Sequence, residues 1–291
     1  MVTVFTPTYN RAYRLNNLYD SLCKQSCFDF EWIIVDDGST DNTESLVKTW
    51  DNKGTFVIKY VKQTNSGKYQ AINRGVTVAE GELFFIVDSD DIIPPRSIET
   101  INRVYDDIKN DLHFGGLCGL KCYMNGEKVG GGENFGVLDC NSLDFKFKYK
   151  VKGDMAEVIR TAVMREFPFP DFSPEKFCPE ALLFFRIASK YKLRYFYEDI
   201  YNCEYLPDGL TASIVKVRMK SPKASTTYYS ELCGYNVPFT VKVKGAVNYW
   251  RFMMCMNKFE RKSSSSLGAL NILKPIGIIY HLYDKFKLET K

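Results

Sequence analysis

Four short apolar segments alternate with helix-like segments over the first 110 residues, and this alternation limits the possible folds more than any other feature. The apolar segments are rich in β-branched and aromatic residues and occupy residues 2–6, 31–35, 56–61 and 83–87. Between them apolar residues recur at helical spacing, as in Leu15, Leu18 and Leu22. Strands alternating with helices predict an α/β fold with a mostly parallel sheet flanked by helices. Because the apolar segments are continuous, we expect strands that are covered on both faces.

The second part of the chain has a different composition. Residues 111–177 are rich in glycine and turn residues, and we expect their strands and loops to complete one edge of the sheet. A helix over 180–190 and a strand over 195–206 should follow. The serines at 263–266 indicate a linker before a last helix over 267–286, which Pro275 should kink.

This organisation predicts a domain over residues 1–210 and a helical C-terminal extension over 211–291. The domain itself should have two halves, 1–110 and 111–210. The extension is basic, since residues 242–291 contain ten Lys or Arg and three Asp or Glu, whereas the whole chain of 291 residues has a net charge of only +4. A basic segment on a slightly acidic body suggests a negatively charged surface as partner.

The number and spacing of cysteines and histidines argue against zinc-binding domains and disulfide-stabilised domains. The chain has nine Cys without any CxxC pair, and only two His. This pattern argues against a zinc site and against a disulfide framework, and it favours reduced cysteines in a cytoplasmic protein. The opening "MVTVFTPTYN" lacks the charged region of a signal peptide, and no apolar stretch reaches the ~20 residues of a membrane span.

Three polar clusters follow predicted strands. They are "PTYN" at 7–10, "DDGSTD" at 36–41 and "DSDD" at 88–91. Ligands of open parallel sheets bind beyond the carboxyl ends of the strands, so these clusters should converge at one edge. The sequence therefore predicts a ligand site there.

The cluster "DSDD" places Asp88, Asp90 and Asp91 within four positions. Clustered carboxylates raise one another's pKa unless a cation neutralises them. Mg²⁺ or Mn²⁺ suits such oxygen ligands and keeps open positions for phosphate oxygens, which predicts a diphosphate site. The alternative is that Asp90 or Asp91 caps the helix that begins near Pro95.

Two other clusters carry similar alternatives. Asp41 is expected to act mainly as a helix cap, whereas Asp36 and Asp37 directly follow a strand and are placed to accept hydrogen bonds from a nucleobase or a ribose. Lys68 begins a predicted helix, where its charge and the helix N-terminus both favour anions, although it could be a solvated lysine.

The runs "VTVFTPTYNRAYRLNNLYDSL", "FEWIIVDDGSTDNT" and "NSGKYQAINRGVTVAEGELFFIVDSDD" together resemble the family 2 glycosyltransferases, which have the GT-A fold. The resemblance covers about the first 110 residues. The later runs "FCPEALLFFRIA" and "EYLPDGLT" are more loosely similar to bacterial members that build surface polysaccharides.

The resemblance implies an inverting transfer of a sugar from a nucleoside-diphosphate donor to a hydroxyl. UDP is the donor nucleotide it favours, and GDP and dTDP stay open. It implies that residues 1–110 bind the nucleotide-sugar and that 111–210 form the acceptor side. The nucleotide-sugar-binding residues would be Pro7, Tyr9, Asp36, Asp37, Lys68, Asp88 and Ser89, and Asp90 would hold Mn²⁺ or Mg²⁺ as the second acid of a DxD motif.

The same resemblance places the general base in "PEALLFFR". Glu180 occupies the base position and Arg186 the family arginine, but Pro179 stands where the family has Glu, and Glu replaces the usual Asp. A single carboxylate is sufficient for inversion, because one group only has to remove the acceptor proton. Glu180 could instead be a first-turn acid of its helix, and Glu175 and Asp154 are the other candidates for the base.

The segment 267–286 combines apolar residues with lysines and resembles an interfacial helix. It would bring the enzyme to a saccharide or polyprenyl-linked acceptor at the inner face of an anionic cell membrane. The alternative is packing on the catalytic domain or on a second subunit, so the oligomeric state is open. We expect no nucleic-acid partner.

Three competing functions are weighed against this one. A non-catalytic nucleotide-sugar-binding or scaffold protein of the same fold stays open because of the departure at Pro179. A phosphoacceptor receiver domain is much shorter than this chain. A sugar nucleotidyltransferase needs a glycine-rich N-terminal loop, which "TPTYNRAYRL" lacks.

Overall fold

The computed structural model describes residues 1–50, 56–204 and 213–289. The chain divides into two compact units, the first formed by Met1–Phe169 with Arg186–Glu204 and the second by Pro170–Phe185 with Tyr205–Lys291. The predicted boundary between residues 210 and 211, the end of the strand predicted over 195–206, and most of "EYLPDGLT" lie outside the described residues.

The first unit contains an eight-stranded sheet. Its strands are β1 (Val2–Thr8), β2 (Phe30–Asp36), β3 (Val57–Lys62), β4 (Leu83–Ile86), β5 (Phe114–Tyr123), β6 (Val137–Cys140), β7 (Met155–Arg160) and β8 (Lys192–Cys203). Their order is β3-β2-β1-β4-β7-β5-β8-β6. Strands β3, β2, β1 and β4 are parallel, β7 is antiparallel to β4 and β5, and β6 is antiparallel to β8. The predicted α/β class and the four predicted N-terminal strands are confirmed.

Helices connect these strands and form most of the second unit. They are α1 (Ala12–Cys23), α2 (Thr43–Lys48), α3 (Lys68–Val78), α4 (Ser97–Asp106), α5 (Thr161–Glu166), α6 (Ala181–Ala188), α7 (Ile214–Lys220), α8 (Pro222–Gly234), α9 (Phe239–Met253) and α10 (Lys274–Glu289). A π-helical turn covers Asp144–Lys148, and 3₁₀ turns cover Lys258–Glu260 and Ser265–Leu273. Within the described ranges, no helix combines the length and the apolar character needed to cross a membrane.

The core explains the continuous apolar runs of the N-terminal strands. All seven residues of β1 and of β2 are buried, so each strand is covered on both faces, as predicted. Trp32 and Phe85 belong to one apolar cluster with residues of α1, α4 and β8. Strand β3 is at the edge of the sheet, and Val57 is exposed there. The sheet therefore gives the carboxyl ends of β1, β2 and β4 a rigid support.

Strands β5, β6 and β7 of residues 111–177 complete the sheet on the side of β4, as predicted, with β7 and β5 inside the sheet and β6 at its edge. The glycines of "GGLCGL" are in β5 itself. A Cβ at Gly116 would collide with the carbonyl oxygen of Val158 on β7, and one at Gly119 would lie 2.7 Å from Ile200 Cγ1. These glycines make room for neighbouring strands, which explains a composition that otherwise indicates turns.

The prediction of one kinked helix over 267–286 is wrong. Residues Ser265–Leu273 form a 3₁₀ segment interrupted at Gly268, whose φ is +50°, and α10 begins only at Lys274. Pro275 is in the first turn of α10, where the amide hydrogen that proline lacks would have no helical acceptor. Pro275 therefore starts the helix instead of bending it.

Candidate active site

The ends of β1 and β2 are joined by side-chain hydrogen bonds. Asn10, which has a φ of +53°, donates its backbone N–H to Ser39 Oγ at 2.8 Å. Its side-chain oxygen accepts the backbone N–H of Thr40 at 2.8 Å. Two of the three predicted polar clusters are therefore in contact, as their positions after neighbouring parallel strands suggest.

Asp41 and Asp36 stabilise this connection from within. Asp41 accepts the backbone N–H groups of Ala12 and Thr43, the first residues of α1 and α2, both at 3.1 Å, so it acts as the predicted cap. Asp36 is fully buried and accepts hydrogen bonds from Ser39 N–H at 2.7 Å and from the Tyr60 hydroxyl at 2.5 Å. In this structure the Asp36 carboxylate holds the turn, and its role toward a ligand stays a prediction.

Asp37 connects the end of β2 with the start of α3. Its carboxylate accepts the Gln63 amide N–H and the backbone N–H groups of Ser66 and Gly67, each at 2.8 Å. Gly67 has a φ of +94° and directly precedes α3, a conformation that favours glycine. Asp37 therefore fixes the position of the α3 N-terminus and of Lys68, its first residue.

Lys68 connects α3 with the third polar cluster. Its Nζ lies 2.6 Å from Asp88 Oδ1, and about a third of each side chain is exposed, at 29% and 32%. Burial alone would raise the pKa of Asp88, but the ammonium groups of Lys68 and Lys121 outweigh it and lower that pKa. Asp37, the α3 N-terminus, Lys68 and Asp88 thus form one continuous polar path from the end of β2 to the end of β4.

A buried network behind the "DSDD" turn includes two residues that the sequence analysis missed. The Tyr201 hydroxyl of β8 donates to Asp91 Oδ2 at 2.6 Å and accepts the backbone N–H of Asp88 at 3.0 Å. Lys121 Nζ of β5 lies 3.4 Å from Asp91 Oδ2 and 4.2 Å from the centre of the Tyr201 ring. The signal for Lys121 was a lysine within an otherwise apolar strand, whereas nothing in the local sequence indicated Tyr201.

This network excludes the cap interpretation of the turn. The residue before α4 is Arg96, and the N–H of Ile98 in the first turn is bonded by Gln25 Oε1 at 3.2 Å, not by Asp90 or Asp91. Asp91 instead bonds Tyr201 and, at 3.3 Å, the backbone N–H of Glu204. Burial raises the pKa of Asp91 to about 6, Lys121 opposes the rise, and the neighbouring Asp88 and Asp90 carboxylates add to it.

Asp90 is the acid of the turn that is available to a ligand. It is partly exposed and makes no hydrogen bond or ion pair with any residue that the structure describes, whereas the neighbouring Ser89 is buried. Across the described residues, no three His, Cys, Asp or Glu side chains surround a common metal position. Mg²⁺ and Mn²⁺ are commonly held by one or two carboxylates together with substrate phosphates, so a single unpaired carboxylate fits such a metal.

The remaining residues predicted to bind the nucleotide-sugar lie at the end of β1. Pro7 is buried within β1 and pairs in register with Val35 of β2. Tyr9 follows β1 and is 49% exposed, so its ring is accessible to a ligand. All predicted nucleotide-sugar and metal residues therefore belong to the first unit.

The candidate base belongs to the second unit. Glu180 is half-buried and directly precedes α6, and its carbonyl oxygen accepts the N–H of Leu183 in the first turn of that helix. Glu175 accepts the backbone N–H groups of Lys223 and Ala224 at 2.7 and 2.9 Å, so it caps α8. Asp154 is exposed immediately before β7. Of the three candidates, Glu175 has a structural explanation that needs no catalysis.

Comparisons with known proteins agree with the predicted family. The family described as glycosyl transferase family 2 matches residues 3–117. Glycosyltransferase GlyG of Streptococcus pneumoniae is 34% identical over 115 residues, which are 40% of this chain and 38% of GlyG. The matches span about two fifths of the length of the curated relatives.

Solved structures share the fold over most of the chain. Staphylococcus aureus TarS in complex with UDP-GlcNAc has a TM-score of 0.62 at 21% identity, over 89% of this chain and 74% of that one. A mannosyltransferase from Pyrobaculum calidifontis in complex with GDP-Man and Mn²⁺ has a TM-score of 0.57 at 17% identity, over 98% and 87% of the two chains. The predicted family match and fold are therefore confirmed: residues 3–117 match glycosyl transferase family 2, and the chain has the GT-A fold.

Proposed function

We propose that this protein is an inverting glycosyltransferase that uses a nucleoside-diphosphate sugar, with UDP as the nucleotide. The observation that carries the proposal is the polar path from Asp37 through Lys68 to Asp88, with the carboxylate of Asp90, which pairs with none of the described residues, beside it. The family match over residues 3–117 supports the reaction class. The UDP-GlcNAc bound by TarS supports the choice of nucleotide.

In the proposed donor site, residues at the ends of three strands contact different parts of the nucleotide-sugar. Tyr9 and Pro7 would line the base pocket, and Asp37 and Asp36 would contact the base and its surroundings. Asp88, with Ser89 beside it, would face the donor ribose. The Lys68 ammonium at the positive end of α3 would attract the donor phosphates. Asp90 would hold Mn²⁺ or Mg²⁺, which when bound supplies positive charge that stabilises the leaving diphosphate.

The acceptor side of the proposal depends on one carboxylate. Glu180 would take the proton from the acceptor hydroxyl while that hydroxyl attacks the anomeric carbon, which inverts the configuration. The acceptor would be a saccharide or a polyprenyl-linked saccharide in the synthesis of a bacterial surface polysaccharide. The protein would work in the cytoplasm, in peripheral contact with an anionic membrane. Residue 179 favours a second candidate, since proline stands there in place of the family's Glu: a nucleotide-sugar-binding protein without a working base.

Thermal unfolding with nucleoside diphosphates tests the donor site. UDP with Mn²⁺ should raise the melting temperature more than GDP, dTDP or UDP without metal. At about 100 times the dissociation constant a ligand adds about 2.7 kcal/mol to the free energy of unfolding. The Asp90→Asn variant should lose the metal-dependent part of the shift, whereas Asp20→Asn, at an exposed position of α1, should keep it. The donor-site proposal is wrong if no nucleotide stabilises the wild-type protein.

A further inference from the structure

Helix α10 packs on α9 through one face that carries small and polar residues. A Cβ at Gly277 would collide with Trp250 and would lie 2.8 Å from the Val247 carbonyl oxygen. The Arg251 guanidinium forms a two-pronged ion pair with the buried Asp284, at 2.5 and 2.7 Å. Gly277 and Asp284 are two turns apart on α10, so this inner face runs along much of the helix.

The opposite face of α10 is apolar and exposed. With 100° of rotation per residue, Ile279, Tyr283 and Phe286 lie on the side away from Gly277 and Asp284. Their exposed fractions are 64%, 59% and 67%, and Leu282 on the same side is 58% exposed. In the preceding 3₁₀ segment Ile272 is 80% exposed. A contiguous exposed apolar surface of this kind marks an interaction site.

Among the described side chains, the charges beside this apolar face are positive. Lys285 and Lys287 are exposed, whereas Lys274 Nζ lies 4.9 Å from the centre of the Trp250 ring and Asp284 is neutralised by Arg251, both on the inner side. Two copies of α10 facing each other would bring these lysines together, which is unfavourable. Anionic lipid headgroups would instead meet the lysines while the apolar side chains enter the acyl boundary, with the Tyr283 hydroxyl at the headgroup level.

We propose that the outer face of α10, defined here as Ile272, Ile279, Leu282, Tyr283 and Phe286, docks in the plane of an anionic lipid bilayer. The helix has 16 residues, about 24 Å at 1.5 Å per residue, and it lies along the surface. This inference deepens the membrane contact of the proposed function by naming its surface. The donor chemistry is tested separately by nucleotide binding, so the two can fail independently.

Co-sedimentation of the intact protein with vesicles tests the proposal. Wild-type protein should sediment with phosphatidylglycerol-containing vesicles and not with pure phosphatidylcholine vesicles, and 0.5 M NaCl should release it. The double variant Ile279→Glu/Phe286→Glu should stay in the supernatant. Lys285→Glu/Lys287→Glu should bind at least about tenfold more weakly, because each lysine near an anionic surface contributes severalfold to the affinity.

A matched control and a second measurement complete the experiment. Leu112→Glu changes an exposed leucine in the first unit and should sediment like wild type. Melting curves that match wild type show that each variant is folded. The proposal is overturned if wild type does not sediment with anionic vesicles, or if the Ile279/Phe286 variant still does. Light scattering that shows a wild-type oligomer, dissolved by the same variant and indifferent to lipid, assigns the face to a second copy instead.

Discussion

Asp88, Asp90 and Asp91 are almost adjacent in sequence, yet the fold gives each a different electrostatic environment. Asp88 pairs with Lys68, and Asp91 lies behind it with Lys121 and Tyr201. Two ammonium groups therefore offset two of the three carboxylates, and the Asp90 charge is left without a counter-ion among the described residues. This distribution explains how three acids share one turn, and it is the reason why Asp90 is proposed as the metal ligand.

Tyr201→Phe should weaken both the fold and the donor site. The change removes the hydroxyl that bonds Asp91 and the Asp88 N–H, so the free energy of unfolding should fall by about 1–3 kcal/mol. If the network contributes about 1.4 kcal/mol to nucleotide binding by holding Asp90 in position, the loss of the hydroxyl should raise the dissociation constant for UDP with Mn²⁺ about tenfold. Urea unfolding and nucleotide titration measure the two effects.

Tyr197→Phe is the matched control for that prediction. Tyr197 is on the same strand, and among the residues that the structure describes its hydroxyl bonds only the Gly132 carbonyl, at 3.5 Å, so its removal should leave nucleotide affinity unchanged. Equal UDP affinity in Tyr201→Phe and wild type would show that the network stabilises the turn but does not position Asp90 for nucleotide binding.

At the scale of elements, the sheet contains a buried carboxylate that makes stability depend on pH. Glu31 of β2 is buried and accepts Thr3 Oγ1, Glu80 N–H and Gly81 N–H at 2.6–3.0 Å, and Lys59 Nζ lies at 2.8 Å. Burial raises the pKa of Glu31, but these hydrogen bonds and Lys59 outweigh it and hold the pKa below 4.5.

Glu31→Gln should therefore cost stability at neutral pH and little in acid. The ionised form is the stabilising one, so its contribution is complete above pH 4.5 and is lost as the pH falls through the lower folded pKa. At pH 7 the variant should lose about 2 kcal/mol, since a hydrogen bond to a charged group contributes about 1.5–3 kcal/mol. Urea unfolding between pH 7 and 3.5 should show the two proteins converging, whereas the exposed Glu127→Gln should match wild type throughout. A difference that does not change with pH would contradict the assignment.

The contact between α9 and α10 depends on a glycine. Alanine at position 277 would gain up to about 1 kcal/mol of helix propensity. The collision of its Cβ with Trp250 should cost about 1–3 kcal/mol. Because this cost outweighs the gain, the free energy of unfolding should fall. Gly277→Ala should therefore lower the melting temperature, whereas Gly234→Ala, where a Cβ meets nothing closer than 3.7 Å, should not. A Gly277→Ala protein as stable as wild type would mean that α10 shifts freely on α9.

Periodicity predicted the N-terminal elements well because each is determined locally. The continuous apolar runs became β1, β2, β3 and β4. Strands β1 and β2 are buried on both faces, as such runs predict, whereas β3 at the edge of the sheet has no buried residue. The interior places of β5 and β7 were not predictable, because their glycines serve contacts with residues about 40 and 80 positions away. The late start of α10 was also missed, since Pro275 is compatible with a kink and with a first turn.

For the whole molecule, the sequence predicted which residues meet at one edge of the sheet but not how they are supported. The clusters after β1 and β2 and the path to Asp88 follow from the parallel order of the strands. Tyr201 lies 110 residues beyond Asp91 on a strand whose pairing could not be deduced from its own sequence. Local patterns therefore identify the groups of the proposed ligand site, whereas the residues behind them need the three-dimensional structure.

The two units separate the proposed donor binding from the proposed proton transfer, which gives a prediction for the whole molecule. Every proposed donor residue is in the first unit, and Glu180 is in the second. Glu180→Gln should therefore keep the UDP- and Mn²⁺-dependent rise in melting temperature and lose transfer, since a general base contributes about 10²–10⁴-fold to a rate. Glu175→Gln is the matched control, and because Glu175 caps α8 it should lower stability more than transfer in the folded protein. Transfer is measured with radiolabelled donor and a membrane extract as the source of acceptor. A Glu180→Gln protein with the wild-type rate would contradict the assignment of Glu180 and leave Asp154 as the candidate base.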